Sequence, residues 1–474
     1  MRSLEDYYFK KSLKAFLIAA KISIDYYNTY FYSMRKHLFC KVCIFYLAIL
    51  CINQKSYGQV EITKWQFGKK GAISITYDDG IITQFKEAIP IMNKLHFPGT
   101  FFIVTGDLKG SRYHAKFIGR PVKEIMKETI TVPTNKDNFF ERASAVRFLG
   151  YRGTAAYFFK AGSLYEEGKI PDAYKIIDSV YAMALSGLFK PGIDTTYEGG
   201  LSSQNSWQDF KLYASQGHEF ACHSLSHPFM AILDTPNIYY ELQKCREDIL
   251  THLGKENTLS AEVPFGTEDE RVMKYVLESK LFTALRNKMP EPYMQEINRG
   301  HNEQPGMSKK AYVQWQRGPL TKTPFPLMKS WVDTVLVHDN IWLVLVFHGI
   351  DNIGWEPINH EELADYFQYI KDKEPGLWVA TFQDVTKYMR ERMSTEVSEE
   401  KSKNKIIITL HHSPDTTLYN LSLTLKTYLP SPWKNVNVHQ DDKTVKLKIA
   451  KDDKGKYVLF QALPNKGKIE LTEN

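Results

Sequence analysis

Two carboxylates side by side at the end of an apolar run are the first residues here with the chemistry of an active site. The stretch Gly71-Ala72-Ile73-Ser74-Ile75-Thr76-Tyr77-Asp78-Asp79-Gly80 is rich in β-branched residues and stops on two aspartates and a glycine. That pattern predicts a buried strand delivering both acids to its C-terminal edge. Adjacent ionised carboxylates repel and strands disfavour Asp, so the pair calls for a compensating cation or for hydrogen bonds. A bound metal would supply that cation; a strand followed by an ordinary Asp-Gly turn is the other reading of the same residues.

A second constellation lies in Gly217-His218-Glu219-Phe220-Ala221-Cys222-His223-Ser224-Leu225-Ser226-His227-Pro228. Histidines four apart meet on one face of a helical turn, with about 6 Å between Cβ atoms, close enough to share a metal ion. Surface or core histidines also occur at that spacing. Proline is comfortable in the first turn of a helix and costly inside one, so His223 and His227 are expected on a strand-to-helix turn with Pro228 starting the helix. Cys222 then faces the opposite side of the incoming strand. His218, with no partner at ligand spacing, reads as a structural residue.

The Thr76-Tyr77-Asp78-Asp79-Gly80 strand end, the histidine stretch and the later Val263-Pro264-Phe265-Gly266 occur in an order that resembles the NodB-type polysaccharide deacetylases, carbohydrate esterase family 4. Leu343-Val344-Leu345-Val346-Phe347-His348-Gly349 adds a late hydrophobic strand ending in histidine. The resemblance covers about residues 70–390, interrupted by a long segment. It implies an α/β fold, a distorted (β/α) barrel, and metal-dependent removal of acetyl groups from an acetamido sugar or an acetylated polysaccharide. Position by position, it implies Asp79, His223 and His227 as ligands of one divalent metal, with zinc the expected ion. It further implies Asp78 as general base, His348 as general acid and the backbone N–H of Phe265 as an oxyanion donor. The chemistry agrees, since two imidazoles and one carboxylate leave a zinc-like ion a position for water.

Two departures from the family pattern stand out. Glu262 occupies the place of an arginine that in the family steadies the base, so Arg286 or Arg317 would have to reach Asp78 from another strand. The family's aspartate-tryptophan signature has no clear counterpart; Asp333 near Trp331 is either a partner for His348 or part of an exposed helical face. Pro264, Arg286, Asp351 and Trp355 are candidates for the substrate groove, tryptophan being a sugar platform or an ordinary packing residue.

These residues need a scaffold, and from Ile62 to about Arg392 apolar strands alternate with amphipathic helices, which argues for a largely parallel sheet. Gln84 to Leu95 is a predicted helix with Pro90 as an irregularity, and Gly99 to Thr105 is the next strand. Residues of about 106–206 form an aromatic-rich insertion with helices predicted at 141–149 and 174–188. Loops in α/β units normally run about 2–6 residues, so the insertion reads as a lid or substrate wall that shapes substrate choice and takes no part in the chemistry. The deacetylase-like region then spans 59–393. A polar run over 394–404 reads as a linker. Residues 405–474 alternate apolar and polar with turn signals such as Asp452-Asp453-Lys454-Gly455, predicting a small antiparallel β domain, a sandwich.

The 474 residues, 43% hydrophobic, suffice for one large domain and a smaller companion. A net charge of +7 without any long basic block gives no indication of a nucleic-acid partner. Met34-Arg35-Lys36-His37 followed by the apolar Leu38 to Ile52 predicts a signal peptide over 34–58, cleaved near Gly58, with 1–33 an over-extended leader. The mature chain is therefore expected outside the cytoplasm, periplasmic, cell-surface or secreted, and to meet the membrane only during export. Leu50 is too large for the residue before a lipidated Cys51. Three of the five cysteines fall in the removable segment, leaving Cys222 and Cys245 as two buried thiols. The expected function is an exported carbohydrate deacetylase acting on an acetylated glycan, with N-acetyl groups favoured. The alternatives are an O-acetyl esterase and a silent glycan-binding relative in which Glu262 marks lost chemistry.

Overall fold

The structure, a computed structural model, describes residues 60–194, 197–202, 204–288, 297–299 and 308–473. The leader and signal peptide expected over 1–58 lie outside the described residues. In chain order the elements begin β1 (Val60–Ile62), β2 (Gly71–Tyr77), α1 (Ile89–Lys94), β3 (Thr100–Ile103), α2 (Val122–Glu128), α3 (Phe139–Val146) and α4 (Thr154–Glu166). They continue with α5 (Ile170–Leu185), α6 (Tyr197–Ser202), α7 (Trp207–Ser215), β4 (Glu219–Cys222), α8 (Thr235–Leu253), β5 (Ser260–Ala261), α9 (Glu270–Ser279) and β6 (Ala284–Leu285). Next come β7 (Ile297–Arg299), β8 (Val313–Arg317), α10 (Phe325–Val337), β9 (Ile341–Phe347), α11 (His360–Lys373), β10 (Leu377–Val379) and α12 (Phe382–Ser394). Eight further strands follow among the described residues: β11 (Thr395–Lys401), β12 (Lys405–His412), β13 (Leu423–Tyr428), β14 (Val436–Gln440), β15 (Lys443–Leu447), β16 (Ala450–Asp452), β17 (Gly455–Ala462) and β18 (Lys468–Glu473).

The central element is a curled parallel sheet ordered β6-β5-β4-β3-β2-β9-β8-β7, flanked by helices in the manner of a distorted (β/α) barrel. Strand β2 is buried along its whole length, as its unbroken run of small and β-branched residues requires of a strand covered on both faces. β10 pairs with Gly71–Ile73 and β3 with Thr76–Tyr77, so the two follow one another along one edge of β2.

Register decides what meets at the sheet's C-terminal edge. Tyr77 pairs with Phe347, Ile103 with Cys222, Cys222 with Ala261, and Ala261 with Leu285. The next residue on each of the contributing strands is Asp78, His348, His223, Glu262 or Arg286. These five groups thus lie one step beyond a strand end, where parallel α/β sheets carry their ligand sites, with Asp79 and His227 farther along the same two loops.

Two local expectations are corrected and one is refined. The helix expected over Gln84–Leu95 is present, its first part a π turn, Gln84–Ala88, that runs without a break into α1, with Pro90 just after the change from π to α winding. Pro228 starts no helix: a 3₁₀ turn over Met230–Ile232 follows, and α8 begins at Thr235 with the Asp234 carboxylate accepting from the Asn237 N–H and Pro236 in the first turn. The linker expected over 394–404 is largely strand β11, paired with β12 from Thr395 to Lys401. Its Glu and Lys content is that of an edge strand kept from pairing further by charge, which composition alone does not distinguish from a linker.

The C-terminal strands form two antiparallel sheets, β1-β13-β17-β16 and β11-β12-β18-β14-β15, packed around Ile406, Leu425, Trp433, Phe460 and Leu471. β1, before the barrel in sequence, pairs with β13, so this layer is built from both ends of the described chain. Between β3 and β4 the inserted helices α2–α7 pack through aromatic contacts such as Phe139 with Tyr174 and Tyr165. The predicted helices at 141–149 and 174–188 are α3 and α5, each beginning a few residues earlier. Cys222 and Cys245 are free, buried thiols.

Candidate active site

Asp78 and Asp79 leave β2 in different directions because the chain turns between them. Asp78 continues the strand, its N–H donating to the Phe347 carbonyl at 3.0 Å, whereas Asp79 takes a left-handed φ of 72° and Gly80 one of 69°. The turn sends one carboxylate to each side of the cleft. Gln84, from the π turn, ties it down: its amide donates to the carbonyls of Asp78 at 2.6 Å and His348 at 2.8 Å, locking the two strand ends together.

Asp79 Oδ1 lies 3.5 Å from His223 Nε2 and 3.2 Å from His227 Nε2. His223 Nδ1–H donates to the Glu262 carbonyl at 2.8 Å, which orients the ring with Nε2 toward Asp79. Among the described residues, neither Asp79 Oδ1 nor His227 Nδ1, both buried, has a hydrogen-bond partner. Burial is the largest influence on both Asp79 and His223. The two histidines nevertheless hold Asp79 well below the usual carboxylate range, and Asp79 and Asp78 raise His223 to about 9. The pocket therefore favours positive charge at this point. Zinc–ligand bonds of about 2.0–2.2 Å at tetrahedral angles give ligand edges of about 3.4 Å, between the two distances seen here. The donor set, with all three ligand atoms within 4.8 Å of one another, fits a divalent ion.

Asp78 belongs to a different set. Its Oδ2 is 2.5 Å from Arg286 Nη2 and 3.4 Å from His348 Nε2. Burial alone would raise Asp78, but the charges of Arg286, His348 and His223 outweigh it and keep the carboxyl below its ordinary range. Arg286 also donates to Thr76 Oγ1 at 2.7 Å and pairs through Nε with Glu262 at 3.2 Å. The guanidinium, 2% exposed, therefore spans Asp78 and Glu262 from β6. Burial lowers His348, and Asp78 beside it opposes that shift.

The histidine loop has no regular structure between Cys222 and Met230, and Ser224 and His227 adopt left-handed φ values of 72° and 52°. Each such non-glycine residue carries strain of about 1–2 kcal/mol. The loop is held from outside: one Glu241 carboxylate accepts from the N–H groups of Leu225 and Ser226, at 3.0 and 2.9 Å, and from the Ser226 hydroxyl at 2.6 Å. After β9 the chain folds back through Gly349, where a Cβ would sit 2.3 Å from the Ile353 carbonyl oxygen. This tight return lays Trp355 edge-on against His348, ring centroids 4.6 Å apart.

These groups line one cleft of about 470 Å³, with Asp78, Asp79, His223, His227, Arg286 and His348 at its floor. Trp355, 56% exposed, and Phe265, 43% exposed, stand on its walls. Among the expected groove residues Trp355 and Arg286 line the cleft. Pro264 and Asp351 are not among the described lining residues; Pro264 is buried and Asp351 accepts from His360 at the start of α11. Asp333 bonds the Tyr369 hydroxyl at 2.7 Å and Trp331 is buried in α10, so that pair serves helix packing and not His348. His218 is structural as expected, accepting from the Gly99 N–H at 3.0 Å. Gln84 and Glu241 escaped sequence reading; a polar residue on an otherwise apolar helix face was their only signal.

The family model described as polysaccharide deacetylase matches residues 146–282, a segment that holds the histidine loop and Phe265. A curated relative, a gellan lyase from a Bacillus species, is 22% identical over 289 residues, which make up 57% of this chain and 11% of that protein. The chain thus spans about a tenth of that relative's length. Among solved structures, a polysaccharide deacetylase candidate from Mycobacterium smegmatis matches at 10% identity and a TM-score of 0.37, over 72% of this chain and 98% of that one. A family 4 carbohydrate esterase from Bacillus anthracis matches at 14% identity and a TM-score of 0.30, over 69% and 86% of the two chains. PdaA of Bacillus subtilis, also a family 4 carbohydrate esterase, matches at 14% identity and a TM-score of 0.29, over 69% and 83%.

Proposed function

We propose that the chain, whose residues 146–282 match the polysaccharide deacetylase family model, is an exported, metal-dependent deacetylase of the NodB type, carbohydrate esterase family 4, removing N-acetyl groups from a glycan. The observation that carries the proposal is the division of the two aspartates within one cleft, Asp79 toward His223 and His227, Asp78 toward Arg286 and His348.

Asp79, His223 and His227 would hold one divalent ion, zinc by the donor set, which when bound supplies Lewis acidity and brings the pKa of water toward about 7. Asp78 accepts the proton of the attacking water, its carboxylate kept ionised and aimed by Arg286. The backbone N–H of Phe265, at the cleft wall, donates to the oxyanion that develops on the acetyl carbonyl. His348 gives a proton to the departing amine, without which expulsion of an amine is slow. Trp355 and Phe265 present aromatic faces to the sugar on either side of the reacting group. Glu262 does not mark lost chemistry in this reading, because the guanidinium that steadies the base comes from β6.

The test is acetate release from a panel of N- and O-acetylated glycans by the purified chain with defined added metals, wild type beside Asp78→Asn. Wild type should turn over an N-acetylated member, and Asp78→Asn should lose about 10²- to 10⁴-fold in kcat while binding glycan. Release from O-acetylated members alone would make it an esterase. No release from any member with metal restored would leave a glycan-binding protein. Export rests on the pattern of residues 34–58, and Gln59 as the first residue of the secreted chain would support it.

A further inference from the structure

The inserted helices touch the histidine loop itself. Arg147, the residue that ends α3, donates through Nη1 to the Ser226 hydroxyl at 3.1 Å and through Nη2 to the Ser226 carbonyl at 3.2 Å. That carbonyl belongs to the peptide bond leading into His227. The other side of Ser226 is held by Glu241 of α8, so the residue before His227 sits between a guanidinium and a carboxylate. Arg147 is anchored within the insertion, its guanidinium lying over the Phe158 ring of α4 at 5.5 Å. Ser144, one turn earlier on α3, accepts from the Asp234 N–H at 2.9 Å and so grips the start of α8 as well.

We propose that Arg147 is a positioning residue for His227, and that the insertion is part of the apparatus that keeps the metal-ligating loop in shape. This modifies the expectation that the insertion only walls the substrate. The loop does not hold itself. Ser224 and His227 both have left-handed backbones, and among the described residues the loop's own stabilising contact is the Ser224 hydroxyl accepting from the His227 N–H at 3.0 Å. Fixing the Ser226 peptide fixes where the His227 ring begins, and so the aim of Nε2 at Asp79. A two-pronged donor does this where a single ammonium cannot.

The proposal rests on the reading of Asp79, His223 and His227 as a metal site, and its test separates the two. Zinc affinity is measured on the full mature chain by chelator competition for wild type, Arg147→Ala, Arg147→Lys and Ser226→Ala, with circular dichroism confirming that each is folded. Groups that orient ligands typically contribute about 10- to 100-fold to metal affinity, and Arg147→Ala should lose that much. Arg147→Lys should recover less than half of the loss on a logarithmic scale, and Ser226→Ala should fall between wild type and Arg147→Ala. Asp178→Asn is the control. It removes the charge from the hydrogen bonds that Asp178 accepts from the Thr134 hydroxyl and N–H inside the insertion, away from the loop, and should lower melting temperature while leaving zinc affinity unchanged. Wild-type affinity in folded Arg147→Ala, or an equal loss in Asp178→Asn, overturns the positioning role alone. A wild-type chain that binds no zinc overturns the metal-site reading and this inference with it.

Discussion

Replacing Arg286 by lysine keeps the charge and removes the fork, and the structure sets what should follow. From a 2%-exposed position the guanidinium reaches Thr76 Oγ1 at 2.7 Å, Asp78 Oδ2 at 2.5 Å and Glu262 Oε2 at 3.2 Å. An ammonium reaches one carboxylate, so a charge-assisted contact of about 1.5–3 kcal/mol and a neutral one of about 1 kcal/mol are lost. If Asp78 is then free to rotate by about 1 Å, kcat should fall on the order of 10²-fold, equivalent to about 2.7 kcal/mol of barrier, with KM changed little. Metal content should be unchanged, since Arg286 pairs with Asp78 and Glu262 and not with the ligand set. The decisive assay is a double-mutant cycle with Asp78→Asn, read as kcat on the best glycan. A residue that acts through Asp78 costs little once Asp78 is gone, so the double variant should be within a few-fold of Asp78→Asn. Additive losses, or full kcat in Arg286→Lys, would refute the assignment of Arg286 as the support of the base.

The remaining predictions concern the metal ligands and one buried acid. Purified His223→Ala, His227→Ala double variant should contain no stoichiometric divalent metal by elemental analysis, where wild type holds one equivalent, because it removes two of three protein ligands. Asp79→Asn should weaken metal binding before it affects glycan binding, as a neutral amide is a poorer ligand; unchanged metal affinity would remove Asp79 from the site. Glu219, at the start of β4, is raised by burial from 4.5 to about 7 although it accepts from the Thr100 hydroxyl and the Gln383 N–H. Its proton is held more tightly folded than unfolded, so this stability is complete below about pH 4.5 and is lost as pH rises through about 7. Glu219→Gln, neutral throughout, should reduce the pH dependence of the melting temperature over that window and exceed wild-type stability at pH 8 by up to about 3 kcal/mol. A wild-type pH profile in that variant would contradict it.

What could be read from the sequence was whatever depends on a strand and the residue after it. Ile73 to Tyr77 and Leu343 to Phe347 are so continuously apolar that their burial follows directly, and Asp78, Asp79 and His348 then fall at their ends. The histidine spacing pointed to a shared ligand but assigned it the wrong local structure, because a left-handed backbone at Ser224 and His227 leaves no mark on residue types. Arg286 illustrates the other limit. Its role depends on β5 and β6 being in register, Ala261 with Leu285, and each is only two residues long, too short for periodicity to reveal. Arg147 lies farther out of reach, since nothing near Val146 in sequence indicates that α3 ends against Ser226.

The pairing of cations with acids explains why neighbouring aspartates can take different roles at all. Two carboxylates on consecutive residues in a dry cleft would otherwise share one strongly raised pKa, and the pair would be half-protonated near neutral pH. Here each has its own surroundings. Asp78 has Arg286, itself braced by Glu262, while Asp79 faces His223 Nε2 at 3.5 Å and His227 Nε2 at 3.2 Å, a donor set that would share a divalent cation with it. Glu262 therefore contributes by holding Arg286 between two acids, so that its charge stays beside Asp78 and does not swing toward the ligand set. An arginine at position 262 itself would lie directly after Ala261, whose strand neighbour Cys222 precedes His223, one of the three proposed metal ligands. Supplying the guanidinium from β6 moves that charge one strand farther from the histidines, and leaves the Glu262 carbonyl to orient His223.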